Sequence, residues 1–178
     1  STAMEILWTI VPVIILVALA IPAAKALIKI EDSSNSDMTI QITGYQWKWQ
    51  YEYPEEGISF FSSLDTASRE ASAIDSGIDP ATVDHYLLEV DNPLVIPVGK
   101  KVRFLFTSND VNHAWWVPDL AVKKDAIPGF INDMWANVNE PGVYRGQCAE
   151  LCGKDHGFMP IVVIAKEQAE YDEWVVQQ

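Results

Sequence analysis

The sequence predicts a mainly β domain, a sandwich or barrel of short strands, preceded by one transmembrane helix. Three observations predict it. Short runs rich in β-branched, aliphatic and aromatic residues recur between residues 38 and 165, broken by turn signals such as Asn92-Pro93, Gly99-Lys100 and Asn139-Glu140-Pro141-Gly142. A single long uncharged run lies near the start of the chain. Residues 146–160 gather both cysteines of the chain, one of its three histidines and a methionine.

Residues 6–24 carry no charge, which gives about 19 apolar or weakly polar positions between Glu5 and Lys25, close to the length that spans a bilayer. Residues 1–30 are read as a transmembrane helix. Pro12 near the start of the run and Pro22 near its end are tolerated there. A cleaved signal peptide is the competing reading. It lacks a basic region ahead of the run, although Ala24-Lys25-Ala26 faintly resembles a cleavage site. Lys25 and Lys29 follow the span, and by the positive-inside rule they would hold that end in the cytoplasm.

Residues 31–37 are polar without apolar periodicity and form a linker to a folded domain over 38–166. Residues 38–53 alternate and are rich in Ile, Thr, Trp and Tyr, a strand that continues or turns into a second. Trp47, Trp49, Tyr51 and Tyr53 fall on one face, and core packing accounts for most of these rings. Residues 57–84 are rich in Ser, Ala and Asp, carry the turn signal Gly77-Ile78-Asp79-Pro80 and lack a sustained strand pattern, so they read as a surface excursion ending at a surface histidine, His85. Strands are expected at 86–90, 94–98, 101–107, 114–118, 130–138, 143–147 and 161–165. The tail, 167–178, sets Ala169, Trp174 and Val175 among charged residues, as a short amphipathic helix on the barrel would.

A chain of 178 residues can bury this core without disulfides. Its formal net charge of −13, from 25 acidic against 12 basic residues, argues against nucleic acid and suits a cationic partner such as a basic redox protein. There is no C-x-x-C-H motif for a covalently attached haem, and no credible general base, nucleophile or phosphate loop.

Cys148, Cys152, His156 and Met159 form the pattern C-x3-C-x3-H-x2-M. Thiolate, imidazole and thioether together suit copper better than magnesium, calcium or manganese. A blue-copper site uses one Cys, two His and an axial Met, so this loop has one thiolate too many for it. Two thiolates can bridge two metals. Each would need its own imidazole, and since the loop supplies only His156, His113 in Asn112-His113-Ala114-Trp115-Trp116-Val117-Pro118 is the best candidate for the second. A disulfide, half of a zinc site and a pair of inert buried thiols compete with this reading. A disulfide would gain little entropy from so short a loop, and zinc would leave Met159 idle.

The loop resembles the binuclear CuA loop of cytochrome c oxidase subunit II. The resemblance covers nearly the whole chain, through Trp8-Thr9-Ile10-Val11-Pro12, Gly44-Tyr45-Gln46-Trp47-Lys48-Trp49, the His113 segment and Asp125-Ala126-Ile127-Pro128-Gly129. It implies a cupredoxin-like Greek-key domain in which the copper loop joins the last two strands and His113 arrives from a neighbouring one. The ligands it implies are bridging Cys148 and Cys152, His113 and His156 with one on each copper, Met159 on one side and the Glu150 carbonyl on the other. An apolar rim with Trp115, Trp116, Phe158 and Pro160 would keep water from the sulfurs. By the same resemblance the Glu150 carboxylate reaches a magnesium ion at the junction with subunit I, Trp47 receives the electron from cytochrome c, and Asp110 belongs to the docking patch for that donor. Phe130 stands where the family commonly has arginine.

The implied role is to take electrons from cytochrome c and pass them to haem in subunit I, where dioxygen is reduced. The implied setting is a bacterial or mitochondrial inner membrane, with the copper domain on the periplasmic or intermembrane side. The helix would be the second of a hairpin whose first span lies upstream. Three rivals stand beside this reading. The CuA domain of a nitrous oxide reductase shares the loop but belongs to a soluble enzyme. A copper-free structural subunit of a quinol oxidase would lack the ligands. A copper carrier or sensor would want an exposed, exchangeable site.

Overall fold

Lacking polar side chains to satisfy its main chain, the run after Glu5 closes its own hydrogen bonds as a helix, α1 (Thr2–Glu31). The computed structural model describes residues 1–178 and divides into two units, Ser1–Ser33 and Ser34–Gln178. No side chain of α1 is buried within the chain, and the helix is long and apolar enough to cross a membrane. Its uncharged stretch rises about 28 Å, against about 30 Å of hydrocarbon in a bilayer.

The second unit contains ten strands: β1 (Met38–Tyr45), β2 (Lys48–Tyr53), β3 (Ile58–Ser62), β4 (Leu94–Pro97), β5 (Lys101–Ser108), β6 (His113–Val117), β7 (Val122–Ala126), β8 (Asn132–Asn137), β9 (Gly142–Cys148) and β10 (Pro160–Lys166). They form two five-stranded sheets, ordered β3-β2-β1-β5-β8 and β4-β10-β9-β6-β7. The pairs β1–β5 and β4–β10 are parallel, and the others are antiparallel. Period-two alternation turns one face of each sheet inward. Trp49, Tyr51 and Tyr53 of β2, Phe104 and Phe106 of β5 and Trp115 of β6 are fully buried there. Each such ring contributes about 2–3 kcal/mol of burial. Trp115 lies 5.5 Å from Phe104 and 5.9 Å from Phe106, ring to ring. The Tyr53 hydroxyl joins the sheets, donating to the Val95 carbonyl at 2.8 Å and accepting from the Val95 N–H at 3.0 Å.

Several sequence expectations are corrected. The excursion at 57–84 is not free of strand, because β3 pairs with β2 from Trp49↔Ser62 to Tyr53↔Ile58. As an edge strand it buries only one side in part, which weakens its alternation, yet Phe60 packs 6.2 Å from Tyr53 and 6.3 Å from the Trp174 ring. A short helix, α2 (Thr66–Ala71), follows, capped by the Asp65 carboxylate, which accepts from the Ser68 N–H. Residues 86–90 do not form a strand: His85 and Leu87 adopt positive φ values of 51° and 61°, which break the pleat, and only Val90 makes a bridge, to Leu64. The reading missed β7, since Lys123, Lys124 and Asp125 hide the inward pair Val122 and Ala126. In α3 (Gln168–Val176) the deeply buried residue is Tyr171 and Ala169 is exposed; the helix turns Tyr171, Trp174 and Val175 towards the sandwich. Trp47 sits in the β1–β2 turn and is half-buried, so the inward stripe contains three rings, not four.

The pairings Gly44↔Ser108, Phe106↔Asn132, His113↔Ala126, Trp115↔Cys148 and Pro160↔Gln147 bring four connections to one end of the sandwich. These are residues 46–47, 109–112, 127–131 and 149–159. All the sequence-predicted site residues lie at that end.

Candidate metal centre

β9 delivers Cys148 at its last position, and the following loop returns the chain at Met159 to start β10. The loop is tied at both ends: the Cys148 N–H donates to the Met159 carbonyl at 3.0 Å, and the Ala149 N–H donates to the Ala114 carbonyl of β6 at 2.9 Å. Cys148, Cys152, Met159 and His113 are buried, and His156 is partly so. Both cysteines are free thiols with sulfurs 3.8 Å apart, well beyond the roughly 2.05 Å of a disulfide. Each sulfur faces an imidazole nitrogen. His113 Nδ1 is 3.9 Å from Cys148 Sγ, and His156 Nδ1 is 3.5 Å from Cys152 Sγ. The Glu150 carbonyl is 3.4 Å from Cys148 Sγ, while its carboxylate is exposed. The ligand atoms of His113, Cys148 and Cys152 lie within 4.8 Å of one another.

Burial pushes the Cys148 thiol up, but hydrogen bonds from His113 and from the backbone of Ala114 and Glu150 outweigh it and bring the thiol down to about 7. Burial and the neighbouring Cys148 charge push Cys152 up to about 12. Each sulfur thus resists ionising once its neighbour is charged. A second thiolate at this spacing requires positive charge beside it.

Asp110 controls the orientation of His113. Its Oδ1 lies 2.9 Å from His113 Nε2 and accepts the Val111 N–H at 2.7 Å, and its Oδ2 accepts the Gln46 N–H at 2.8 Å. Burial opposes its ionisation, yet these bonds, the one with His113 foremost, hold the carboxyl below the usual carboxylate range. With Nε2–H directed at Asp110, the Nδ1 lone pair of His113 points to the sulfurs. Asp110, expected from the sequence as a docking acid, lies at the surface while both of its oxygens accept hydrogen bonds at the site. Trp116, expected in the apolar rim, lies on the outer face of β6 with Lys123 5.5 Å from its ring centroid. Trp115, Phe158 and Pro160 are buried or half-buried. Two residues the sequence reading did not assign are part of the geometry. Gln46 Nε2 donates to the Cys152 carbonyl at 2.8 Å, beside Trp47 Nε1 at 3.2 Å. Gly44 passes so close to His113 that a Cβ there would lie 2.7 Å from the imidazole Cδ2.

Comparison with known proteins agrees with this geometry. Residues 38–166 match the family described as cytochrome C oxidase subunit II, periplasmic domain. A relative from Rickettsia bellii is 42% identical over 174 residues, covering 98% of this chain and 61% of its own length, so the chain spans about three-fifths of that protein. The cytochrome c oxidase subunit 2 of Artemia franciscana is 42% identical, with 99% of this chain and 73% of that one covered. The crystal structure of the periplasmic domain of subunit II of cytochrome oxidase from Bradyrhizobium japonicum is 39% identical and superposes with a TM-score of 0.71, over 82% of this chain and 95% of that one. With the cupredoxin-like sandwich and its sulfur–imidazole cluster at one end, these matches settle the assignment: the chain belongs to the cytochrome c oxidase subunit II family.

Proposed function

We propose that this chain is the electron-accepting subunit of a haem-copper cytochrome c oxidase, holding a binuclear CuA centre. The observation that carries this reading is the pair of free sulfurs 3.8 Å apart, each facing its own imidazole nitrogen. Cys148 and Cys152 would bridge two copper ions, His113 and His156 would each bind one, and Met159 and the Glu150 carbonyl would complete the two sides. The donor set fits copper, because soft sulfur and imidazole select it. When bound, the pair supplies a one-electron carrier that takes an electron from cytochrome c and yields it to haem in subunit I.

The rest of the work belongs to this chain's own residues. Asp110 fixes the His113 ring, and the sandwich interior keeps water from the sulfurs. Trp47 is proposed to receive the electron, a role supported by its Nε1–H bond to the carbonyl of a ligand cysteine. The charge of −13 favours a cationic donor, and Asp110 adds its charge to that field although its oxygens are committed. The exposed Glu150 carboxylate is free to reach a magnesium ion shared with subunit I. Leu151, Phe130 and Ile131, 79%, 57% and 62% exposed, suit burial against that partner. The helix α1 is proposed to anchor the domain in an inner membrane, with the copper end outside the cytoplasm.

Copper analysis with electron paramagnetic resonance on the full chain in detergent tests the reading. Two coppers per chain sharing one unpaired electron is the expected result. A single localised copper would point to a carrier, and none to a structural subunit. A second test concerns Gly44. Gly44→Ala is expected to displace His113 and weaken copper binding about 10–100-fold, as loss of ligand orientation does. Unchanged affinity in a copper titration would mean that β1 yields instead.

A further inference from the structure

The β1–β2 turn touches both halves of the sulfur–imidazole cluster, and only Gln46 reaches both. Its main-chain N–H donates to Asp110 Oδ2, whose other oxygen meets His113 Nε2. Its side-chain Nε2–H donates to the Cys152 carbonyl. His113 stands at the start of β6 and Cys152 in the loop after β9; the Ala149 N–H to Ala114 carbonyl bond joins these segments within their own sheet, and Gln46 adds a second link from the opposite sheet. Two glycines leave room for this bridge. A Cβ on Gly44 would strike His113, and one on Gly153 would lie 3.0 Å from Gln46 Nε2. Gln46 is exposed, yet its main-chain N–H and its side-chain Nε2–H both donate toward the cluster, where a surface glutamine would ordinarily donate to water.

We infer that Gln46 is a positioning residue of the metal centre, a clamp that fixes the distance between the His113 half and the Cys152 half. This rests on the CuA reading above. Trp47 and Gln46 together fill both lone pairs of the Cys152 carbonyl, so the loop carrying that cysteine is held from the opposite sheet. Without the Gln46 bond only Trp47 reaches the Cys152 carbonyl from the opposite sheet, the loop's ends staying tied at Cys148 and Ala149, and the cluster opens more readily.

Two measurements test the clamp. In the metal-free full chain in detergent, nuclear magnetic resonance should show a Gln46 side-chain amide proton exchanging at least about tenfold more slowly than in an exposed glutamine. Exchange of both protons at the free rate overturns the inference. In the copper-loaded chain, Gln46→Glu keeps the size of the side chain but sets a carboxylate against a carbonyl, and Gln46→Met removes the donor without adding charge. Copper release to a chelator should accelerate about tenfold in Gln46→Glu and less in Gln46→Met, with two coppers still bound and altered hyperfine splitting. If Gln46→Glu does not fold, Gln46→Met alone decides, and release at the unmodified rate with an unmodified spectrum sinks the clamp. An unmodified chain that binds no copper pair sinks the CuA reading instead, and the exchange measurement still reports on the clamp.

Discussion

Cys148→Ser should yield a chain that folds, holds no copper pair and takes up electrons from cytochrome c at below about one per cent of the normal rate. Changes one shell out from a metal already cost about 10–100-fold, and this one removes a proposed bridging ligand. The fold should survive. Serine is nearly isosteric, the position is 4% exposed, and a hydroxyl there can still donate to the Glu150 carbonyl, so the stability cost should stay near about 1 kcal/mol. Absorbance and copper content read the first effect, and circular dichroism the second. A Cys148→Ser chain with a normal two-copper spectrum would remove the bridging assignment.

The second large effect lies two residues earlier. A Cβ on Gly146 would sit 2.0 Å from the Trp116 carbonyl oxygen and 2.9 Å from the Trp116 carbonyl carbon and the Val117 Cα. All three atoms are main chain in β6, so no rotamer relieves the clash and the strands themselves must part. Gly146→Ala should therefore destabilise the sandwich by at least about 3 kcal/mol, beyond ordinary overpacking, and lower Tm by about 6–12 °C. It should also loosen the metal centre, because the same two strands set Trp115 opposite Cys148 and carry His113. Gly157→Ala is the matched control in the copper loop, with nothing within 4 Å of its Cβ, and should leave Tm and copper content unchanged. A Gly146→Ala chain that melts with the unmodified one would show that β9 can shift without separating from β6.

What could be read from the sequence depended on how local the signal was. Cys148, Cys152, His156 and Met159 are recognisable because one loop carries four soft donors. His113 needed an inference from what the loop lacks, since its approach to Cys148 spans 35 residues of sequence. Asp110 was visible as a charge but not as the partner of His113, because an acid three residues before a histidine reads equally well as surface. Gln46 carried no signal, as its partner Cys152 lies 106 residues away. Most strands were legible from their β-rich composition. β3 and β7, both edge strands, were not: β3 exposes Phe61 and buries Ser62, and β7 sets Lys123, Lys124 and Asp125 between its two buried residues. Residues 86–90 show the reverse failure, an apolar run whose left-handed backbone at His85 and Leu87 overrides its composition.

The two parallel pairings, β1 with β5 and β4 with β10, set the order in which the molecule can mature. Each joins segments far apart in the chain, and loop closure over such distances is slow compared with forming a hairpin. His113 stands in the middle of the sequence, the thiols near its end, and the turn that braces them near its beginning. The sulfurs and His113 meet through the β6–β9 pairing, and the brace at Gln46 is added only when the second sheet packs against the first. Unlike a zinc finger, whose ion organises the polypeptide, this domain has a large core of its own, and on the CuA reading copper would enter a scaffold already held by its two sheets.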